Sequence, residues 1–264
     1  MENQSLTKKT HWDTTWGRRL GKHGNNAFSC ITERFFLTRR MDALFKQIIP
    51  LRSTFLEIGC GGSHILPRVV KRLSCNGCGI DYSETGIELC RNYLKQKQVE
   101  ATLVFDDLFT TTKVPSDHFD VVYSAGFIEH FTDIPGTIRA MQRFVRPGGI
   151  LMTMVPNLHG MIGTMHRLAD RELFDEHTRI TPEQLDSYHA AAGLSAVVPA
   201  FYYGSFCLTV VNWNRLKNTL GFLGDFMLYS MKIAQELTCL PFQFQKKPPE
   251  SKQFSPYVVG VYKK

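Results

Sequence analysis

The stretch that decides the fold reads Phe55-Leu56-Glu57-Ile58-Gly59-Cys60-Gly61-Gly62-Ser63. An apolar strand passes here directly into a glycine-rich turn, and apolar residues at helical spacing follow. Only glycine lets a backbone turn this tightly and lets a ligand approach it closely. Gly59 and Gly61 therefore mark where a nucleotide-like cofactor is expected to lie against the chain.

From Thr54 onward, short β-branched or apolar runs alternate with longer segments at helical spacing, which is typical of a parallel sheet with crossover helices. We therefore expect an α/β, Rossmann-like fold. The seven predicted strands are Thr54–Ile58, Gly77–Ile80, Thr102–Phe105, Phe119–Tyr123, Gly149–Val155, about Leu194–Tyr203, and Tyr257–Tyr262.

Two segments between these strands carry helix boundary signals. Pro147-Gly148-Gly149 should turn the chain from a helix over Ile134–Val145 into the fifth strand. Farther along, the capping box that begins at Thr181 should start a helix that Gly193 ends.

Carboxylates follow the second and third strands. Asp81 lies 20 residues beyond Gly61, where an acid can accept hydrogen bonds from both ribose hydroxyls. Asp106 and Asp107 follow the third strand and should reach the same edge of the sheet. A nicotinamide cofactor is disfavoured, because His64 stands where the G-x-G-x-x-G pattern needs its third glycine.

Composition sets broad limits on function. The 264 residues are 43% hydrophobic and carry a net charge of +7, so one decorated domain is expected and anionic partners are permitted. That excess of charge is too mild to identify a nucleic-acid binder. The seven cysteines are scattered, and the first residues lack the apolar stretch of a secretory signal, so we expect a reducing, cytoplasmic setting.

The motifs taken together resemble the class I S-adenosylmethionine-dependent methyltransferases, from about Phe55 to Asn157 with a weaker echo to Gly193 and in the final strand. In the order and spacing of that family, they read LEIGCGGS, GIDYS, VFDDLF, FDVVYSAGFIEHF and RPGGILMTMVPN. The resemblance implies a seven-stranded, mostly parallel sheet with an antiparallel last strand and helices on both faces. It also implies S-adenosylmethionine as the cofactor.

The resemblance assigns cofactor contacts residue by residue. Glu57, Gly59, Cys60 and Gly61 would bracket the methionine portion, with Glu57 fixing the loop and the amino group. The remaining contacts would be made by Asp81 with the ribose hydroxyls, Tyr82 beside the adenine, Asp107 or else Asp106 with the adenine amino group, Leu108 alongside, and the backbone of Ser124 and Ala125 near the methionine end.

Two departures from related sequences bear on the site. Ser63 stands where the family often has a third glycine, and serine can cap the following helix. Quinone-biosynthesis O-methyltransferases carry an acid three residues before the Glu-His pair as part of a metal site, whereas this chain has Gly126 there. Only Glu129 and His130 remain, and Cys75-x-x-Cys78 has no partner pair at zinc-ligand spacing, so no metal site is expected.

Methyl transfer from a sulfonium needs a base only when the acceptor arrives protonated, and histidine suits that task near neutral pH. Three histidines are candidates. His130 follows the fourth strand, His159 follows the fifth, and His177 precedes the helix that starts at Thr181. Each has a structural alternative as a packing or loop residue.

Two segments lie outside the strand–helix alternation. We expect a helical N-terminal lid over residues 1–45 and a Rossmann-like domain over 46–264 with an aromatic-rich insertion at 204–250. Trp12 and Trp16 would close over the cofactor or only hold their helix to the domain. The aromatic residues from Phe201 onward, including Tyr202 and Tyr203, would wall an apolar acceptor pocket, pack in the core, or form a dimer or membrane-facing surface.

These features favour a small-molecule methyltransferase, with oxygen, nitrogen or carbon as the acceptor atom. A nucleic-acid methyltransferase is disfavoured, because the fourth strand runs into Ser124-Ala125-Gly126 without the Asp/Asn-Pro-Pro element of base methylation. A non-catalytic cofactor-binding protein stays open, since the motifs report binding and not turnover. We expect a monomer or homodimer with no transmembrane segment, and peripheral membrane contact stays open.

Overall fold

The chain forms one mixed sheet flanked by helices, in a computed structural model that describes residues 5–7, 9–21, 36–204, 211, 213, 219–239, 241 and 250–264. The elements in chain order are α1 (Lys9–Gly21), α2 (Phe36–Ile48), β1 (Thr54–Ile58), α3 (Ile65–Leu73), β2 (Asn76–Asp81), α4 (Glu84–Lys97), β3 (Thr102–Phe105), β4 (Phe119–Ala125), a 3-10 turn (Ile128–His130), α5 (Ile134–Gln142), β5 (Val145–Pro156), α6 (Gly160–Ala169), α7 (Arg171–Asp175), α8 (Pro182–Ala191), β6 (Ser195–Tyr203), α9 (Phe222–Cys239) and β7 (Tyr257–Lys263).

The seven strands are ordered β3-β2-β1-β4-β5-β7-β6. Strands β1 to β5 run parallel, and β7 is antiparallel to both β5 and β6. This arrangement confirms the predicted fold class, and all seven predicted strands are present. After β3 the chain crosses to the other side of β1, so a crevice opens beyond the carboxyl ends of β1 and β4, where open α/β sheets bind ligands.

Two hydrophobic clusters cover the faces of the sheet. Alternate residues of each central strand enter different clusters: Leu56 packs with α5 and α8 on one face, whereas Phe55 packs with α2, α3 and α4 on the other. Burial on both faces explains why the central strands read as continuous apolar runs. The clusters hold β1 rigidly beneath the glycine turn.

Helix α2 crosses the boundary predicted between residues 45 and 46. Met41, Leu44 and Phe45 are buried in the second cluster, and the Phe45 ring packs edge-on against Tyr123 of β4. The second half of the predicted lid segment is thus part of the domain core. Only α1 and residues 5–7 remain as candidates for a lid among the described residues.

The turn predicted at Pro147 is a bulge inside β5. The helix predicted to reach Val145 ends at Gln142, and β5 already begins at Val145. Pairing with β4 jumps from Phe119–Val145 to Val121–Ile150, so Arg146 to Gly149 form the excess residues of an irregular ladder. Strand pairing therefore overrides the local turn signal of the Pro-Gly-Gly sequence.

The capping box at the start of α8 is confirmed. The Gln184 backbone N–H donates to Thr181 Oγ1, and the Gln184 side chain accepts from the Thr181 backbone N–H. The four cysteines whose side chains the structure describes, Cys60, Cys75, Cys78 and Cys90, are free and buried. Among the described helices, none has the length and apolar character needed to cross a membrane.

Candidate functional site

A cleft lies over the carboxyl ends of β1, β2 and β4. It consists of two adjoining cavities of about 350 and 270 Å³ that share the walls formed by Ser5, Gly59, Asp81, Tyr82, Phe127 and Phe131. The larger cavity also reaches Glu57, Gly61, Ala125 and His130, and the smaller one reaches Asp106, Asp107 and Leu108. The structure thus brings most of the predicted cofactor residues to one continuous cleft.

The glycine turn has the geometry that the sequence predicted. Gly59 has φ +72°, and a Cβ there would lie 2.8 Å from the ring of Phe127. At Gly61 a Cβ would lie 2.6 Å from Asp81 Oδ2. A side chain at either position would force its neighbours apart, so glycine is required for the shape of the turn.

Glu57 supports this turn from below. Its carboxylate accepts hydrogen bonds from Ser63 Oγ at 2.6 Å and from the backbone N–H of Leu66, in the first turn of α3, at 2.9 Å. Burial raises the pKa of Glu57 to about 7, against the lowering effect of these two hydrogen bonds. The residue lines the larger cavity, where a cationic group would favour its ionised form.

Asp81 lies at the end of β2, facing the turn. Its Oδ2 accepts from the backbone N–H of Gly61 at 2.7 Å, and its Oδ1 accepts from that of Ser83 at 2.8 Å. A carboxylate at this position, lining both cavities, can accept hydrogen bonds from the hydroxyls of a ribose. Burial, with the nearby Asp81 charge, raises the pKa of Tyr82 far above its usual range.

The two acids after β3 line the smaller cavity, and both carboxylates also accept hydrogen bonds from neighbouring residues of their own loop. Asp106 accepts from Thr111 Oγ1 at 2.9 Å and pairs with Lys113 Nζ at 3.3 Å, and these interactions lower its pKa. Asp107 is exposed, and its carboxylate accepts from the backbone N–H of Phe109 at 2.9 Å. Asp107 is therefore the better placed of the two to receive an adenine amino group.

Two predicted cofactor residues have side chains away from the cleft. Cys60 is fully buried and lies within contact distance of Gly79, and Ser124 is fully buried within β4. Neither residue lines either of the two cavities. Their side chains therefore belong to the core of the domain.

Helix α1 lies over the glycine turn. Trp12 and Trp16 are stacked with ring centroids 5.8 Å apart, and both line the larger cavity. Trp16 packs within contact distance of Gly61 and Gly62. Asp13 of the same helix accepts from Ser83 Oγ at 2.6 Å, so α1 is held to the residues that follow β2. Helix α1 therefore forms part of the wall of the cleft, and its role as a lid stays a prediction.

His130 is the histidine that reaches the larger cavity. It lies in the 3-10 turn after β4, and its Nδ1 is 2.9 Å from Oγ1 of the buried Thr7. The backbone N–H of Leu6 donates to the His130 carbonyl, and Ser5 pairs with Phe131 in an isolated antiparallel β-bridge. The N-terminal segment thus anchors the ring, and Trp12 packs edge-on against it at 5.1 Å.

A cluster of ionisable groups lies behind His130. The His177 ring is 4.4 Å from that of His130, and one ligand atom from each of Glu129, His130 and His177 lies within 4.8 Å of the others. Burial raises the pKa of Glu129 to about 8, against the effect of the nearby backbone N–H groups of Glu129 and Phe127. Burial, with repulsion from His177, lowers the pKa of His166 to about 4.

Sequence reasoning did not foresee this cluster, because His177 and His166 are distant in sequence from the Glu129-His130 pair. It also missed the aromatic walls of the cleft formed by Phe127, Phe131 and Tyr257. The spacing of Phe127 and Phe131 on either side of the Glu-His pair was the available signal. His177 was a candidate base from its position before the helix that starts at Thr181, but no local signal indicated that it would meet Glu129 and His130, and Tyr257 carried no local signal of its place in the cleft.

Other sequence candidates lie elsewhere. His159 precedes α6, where its N–H donates to Asn157 Oδ1, and it does not line the two cavities. Tyr203 is buried, and its hydroxyl donates to the Arg40 carbonyl at 2.5 Å, whereas Tyr202 packs on the opposite face of β6. Neither tyrosine lines the two cavities, so their predicted role at the acceptor or lid stays a prediction.

The insertion is partly described. Helix α9 exposes the apolar side chains of Phe222, Leu223, Phe226, Tyr229, Ile233 and Leu237. These side chains therefore do not wall a pocket among the described residues. Phe206, another aromatic candidate, lies outside the described residues.

Comparison with known proteins identifies the family to which the sequence pattern belongs. A family model described as a methyltransferase domain matches residues 32–198, which is more than half of the chain. The chain is 29% identical over 154 residues to a ubiquinone biosynthesis O-methyltransferase of Brucella melitensis biotype 2, covering 54% of this chain and 60% of that protein. It is 32% identical over 151 residues to the same-named protein of Pseudomonas aeruginosa, covering 53% and 63%. The chain thus spans about three fifths of the length of these relatives.

A solved structure has the same fold over almost its whole length. An S-adenosylmethionine-dependent methyltransferase of Thermotoga maritima superposes with a TM-score of 0.59 and 13% identity, covering 97% of this chain and 99% of that one. At this identity the likeness concerns the arrangement of strands and helices. It agrees with the strand order found here.

Proposed function

The chain belongs to the class I S-adenosylmethionine-dependent methyltransferases, and from this premise we propose that it transfers the methyl group to a small, partly apolar or aromatic acceptor. One observation carries the proposal: the glycine turn, Asp81 and a histidine line one cleft. A nucleoside held by Asp81 and a methionine moiety held at Gly59–Gly61 would direct the sulfonium toward His130. Cofactor binding and methyl transfer would then take place in the same cleft.

The acceptor would lie against the aromatic walls of the larger cavity. Trp12, Phe127, Phe131 and Tyr257 supply apolar surface there, and His130 supplies one polar group. Such a site suits a flat ring with a polar substituent. The relatives named O-methyltransferases support an oxygen as the accepting atom.

The reaction would be an in-line displacement. The acceptor oxygen would form a bond to the methyl carbon while the carbon–sulfur bond breaks, and S-adenosylhomocysteine would leave. Since the sulfonium is already activated, alignment and exclusion of water can supply much of the acceleration. Removal of the acceptor proton would depend on His130, the member of the histidine cluster at the cleft.

The test uses S-adenosylmethionine with a panel of small hydroxylated aromatic compounds, and measures S-adenosylhomocysteine and methylated product by mass spectrometry. We expect product from the wild type and none from Asp81→Ala. His130→Ala should bind S-adenosylhomocysteine normally but lose most of kcat, whereas His118→Ala should match the wild type, because His118 is exposed at the start of β4. Tight cofactor binding with no product from any acceptor would indicate a non-catalytic protein.

A further inference from the structure

Three ionisable side chains from two separate segments meet beside the cleft. Glu129 and His130 belong to the 3-10 turn after β4, and His177 follows α7. One oxygen or nitrogen atom of each lies within 4.8 Å of those of the other two. Bond lengths to a zinc ion of about 2.0–2.2 Å place ligand atoms roughly 3.4 Å apart in a tetrahedron, so a shift of about 1 Å would close this group around an ion.

Glu129 is the observation that points to a ligand. Its side chain is 1% exposed, and neither carboxylate oxygen makes a well-aligned hydrogen bond with the described residues, although the backbone N–H groups of Glu129 and Phe127 lie nearby. The His130 ring lies beside it, with Nε2 3.9 Å from Oε1. A buried carboxylate without partners is costly, and a bound cation would remove that cost.

Both histidines are oriented through their other ring nitrogen. Nδ1 of His130 contacts Thr7 Oγ1 at 2.9 Å, and Nδ1 of His177 contacts the Leu173 carbonyl. Metal-binding histidines characteristically use one ring nitrogen for the ion and the other for such a fixing contact. For His130, Nε2 is the ring nitrogen on the side of the Glu129 carboxylate, 3.9 Å from Oε1.

Gly126 is the reason why the sequence alone did not indicate that Glu129, His130 and His177 form a set of ligands. A Cβ at Gly126 would lie 3.6 Å from Oε1 of Glu129, so a side chain there would face the same carboxylate. In this chain His177 approaches that space from a different segment.

We propose that Glu129, His130 and His177 bind one divalent transition-metal ion, with Zn²⁺ as the best match to two imidazoles and a carboxylate. Because His130 lines the cleft, the fourth position of the ion would face the acceptor. The catalytic consequence rests on the proposed function: in the metal-loaded protein an acceptor hydroxyl bound to the ion would release its proton to water more easily, and His130 would act as a ligand of the ion in place of acting as the base.

The test measures metal binding directly, apart from activity. Full-length protein stripped with chelator is titrated with Zn²⁺ by calorimetry, and with Co²⁺ by its visible ligand-field absorption. We expect one ion per wild-type chain and an intense Co²⁺ spectrum typical of a low-coordinate site. Glu129→Gln and His177→Ala should each weaken binding by roughly 10- to 100-fold or more and lose that spectrum.

Two controls make the result decisive. His118→Ala removes an exposed histidine at the start of β4 and should bind metal like the wild type. Glu129→Gln preserves side-chain size, and unchanged affinity for S-adenosylhomocysteine would show that its cleft is folded. The proposal is overturned if wild-type protein binds no stoichiometric ion, or if Glu129→Gln and His177→Ala bind it as tightly as the wild type. Loss of S-adenosylhomocysteine binding by the wild type would instead count against the proposed function.

Discussion

The carboxylate of Asp81 accepts a hydrogen bond from the backbone N–H of Gly61, with 2.7 Å between Oδ2 and nitrogen. This bond joins the end of β2 to the turn after β1, across 20 residues of sequence. The acid and the turn therefore form one structural unit. A change in either should alter both the shape of the cleft and the binding of a nucleoside.

Gly61→Ala should disturb this unit. The new methyl group would lie 2.6 Å from Asp81 Oδ2 and 3.1 Å from Trp16 Nε1, so the turn must move. We expect a loss of about 1–3 kcal/mol in the free energy of unfolding and at least about tenfold weaker binding of S-adenosylhomocysteine, equivalent to about 1.4 kcal/mol. Calorimetry and chemical denaturation measure both.

Gly17→Ala is the matched control for this variant. Gly17 lies in α1, and a Cβ there meets no atom within 4 Å. Alanine in a helix should leave stability unchanged or raise it by up to about 1 kcal/mol. Equal damage from both substitutions would show that the close contact at Gly61 is not the cause.

Trp16→Ala should open the cover over the cleft. Trp16 packs on the glycine turn and lines the larger cavity, so its removal exposes a bound nucleoside to solvent. We expect S-adenosylhomocysteine to bind roughly tenfold more weakly, mainly through faster dissociation in stopped-flow measurements. Thr14→Ala, at an exposed position of the same helix, should bind normally. Unchanged dissociation from Trp16→Ala would mean that α1 does not act as a lid.

Cofactor binding should release a proton from Glu57. With its pKa raised to about 7, this carboxyl is about three quarters protonated at pH 6.5 in the free protein. The cationic amino group of a bound methionine moiety would favour the ionised form. Calorimetry in two buffers of different ionisation enthalpy should therefore detect release of up to about 0.8 proton at pH 6.5. Release should vanish at pH 8.5 and in Glu57→Gln; persistence in that variant would assign the proton to another group.

The raised pKa of Glu57 also makes the free energy of unfolding depend on pH, with the opposite sign to that of a carboxylate whose pKa is lowered by folding. Because the folded state binds the Glu57 proton more tightly than the unfolded state, this residue makes folding less stable as pH rises from about 4.5 to about 7. The full effect is on the order of 3 kcal/mol. Above pH 7, Glu57→Gln should therefore be more stable than the wild type in urea denaturation.

His189 should make the fold sensitive to acid. The ring is fully buried and stacks on Tyr262; Nε2 contacts Thr153 Oγ1 at 3.0 Å and Nδ1 contacts the Leu185 carbonyl at 2.8 Å. Burial lowers its pKa from 6.5 to about 4, so the unfolded state binds the proton more tightly. The neutral ring therefore contributes fully to the free energy of unfolding above pH 6.5. This contribution decreases by on the order of 3 kcal/mol as the pH falls toward 4.

The variant His189→Gln isolates this effect. It removes the titrating ring, so the loss of unfolding free energy between pH 7 and pH 4.5 should be smaller than in the wild type by about 2–3 kcal/mol. His118→Ala serves as the exposed control. Identical pH profiles for wild type and His189→Gln would refute the prediction.

Local sequence was enough to predict the strands and the cofactor turn. The glycines of the turn, the capping box at Thr181 and the acid at Asp81 all lie where the sequence placed them. These features depend on backbone conformation and on apolar periodicity over a few residues. They could therefore be predicted without knowledge of contacts between residues distant in sequence.

Features that depend on distant contacts could not be read from local sequence. The sequence left Tyr203 between an acceptor pocket, the core and an exposed surface, and its hydroxyl donates to the Arg40 carbonyl of α2; the turn expected at Pro147 is a bulge dictated by pairing with β4. Cys60 lies inside the cofactor motif but its side chain packs against Gly79. In each case, a partner far away in sequence determines the environment of the residue.

By itself the sequence determined the α/β architecture, the glycine turn and the identity of the acid that follows β2, because neighbouring residues dictate backbone conformation and which faces are apolar. Only the tertiary structure decided that His177 meets Glu129 and His130, and that α1 lies over the turn. The reason is that side chains from separate segments meet only when packing of the sheet and helices brings those segments together, and no local pattern encodes that distance.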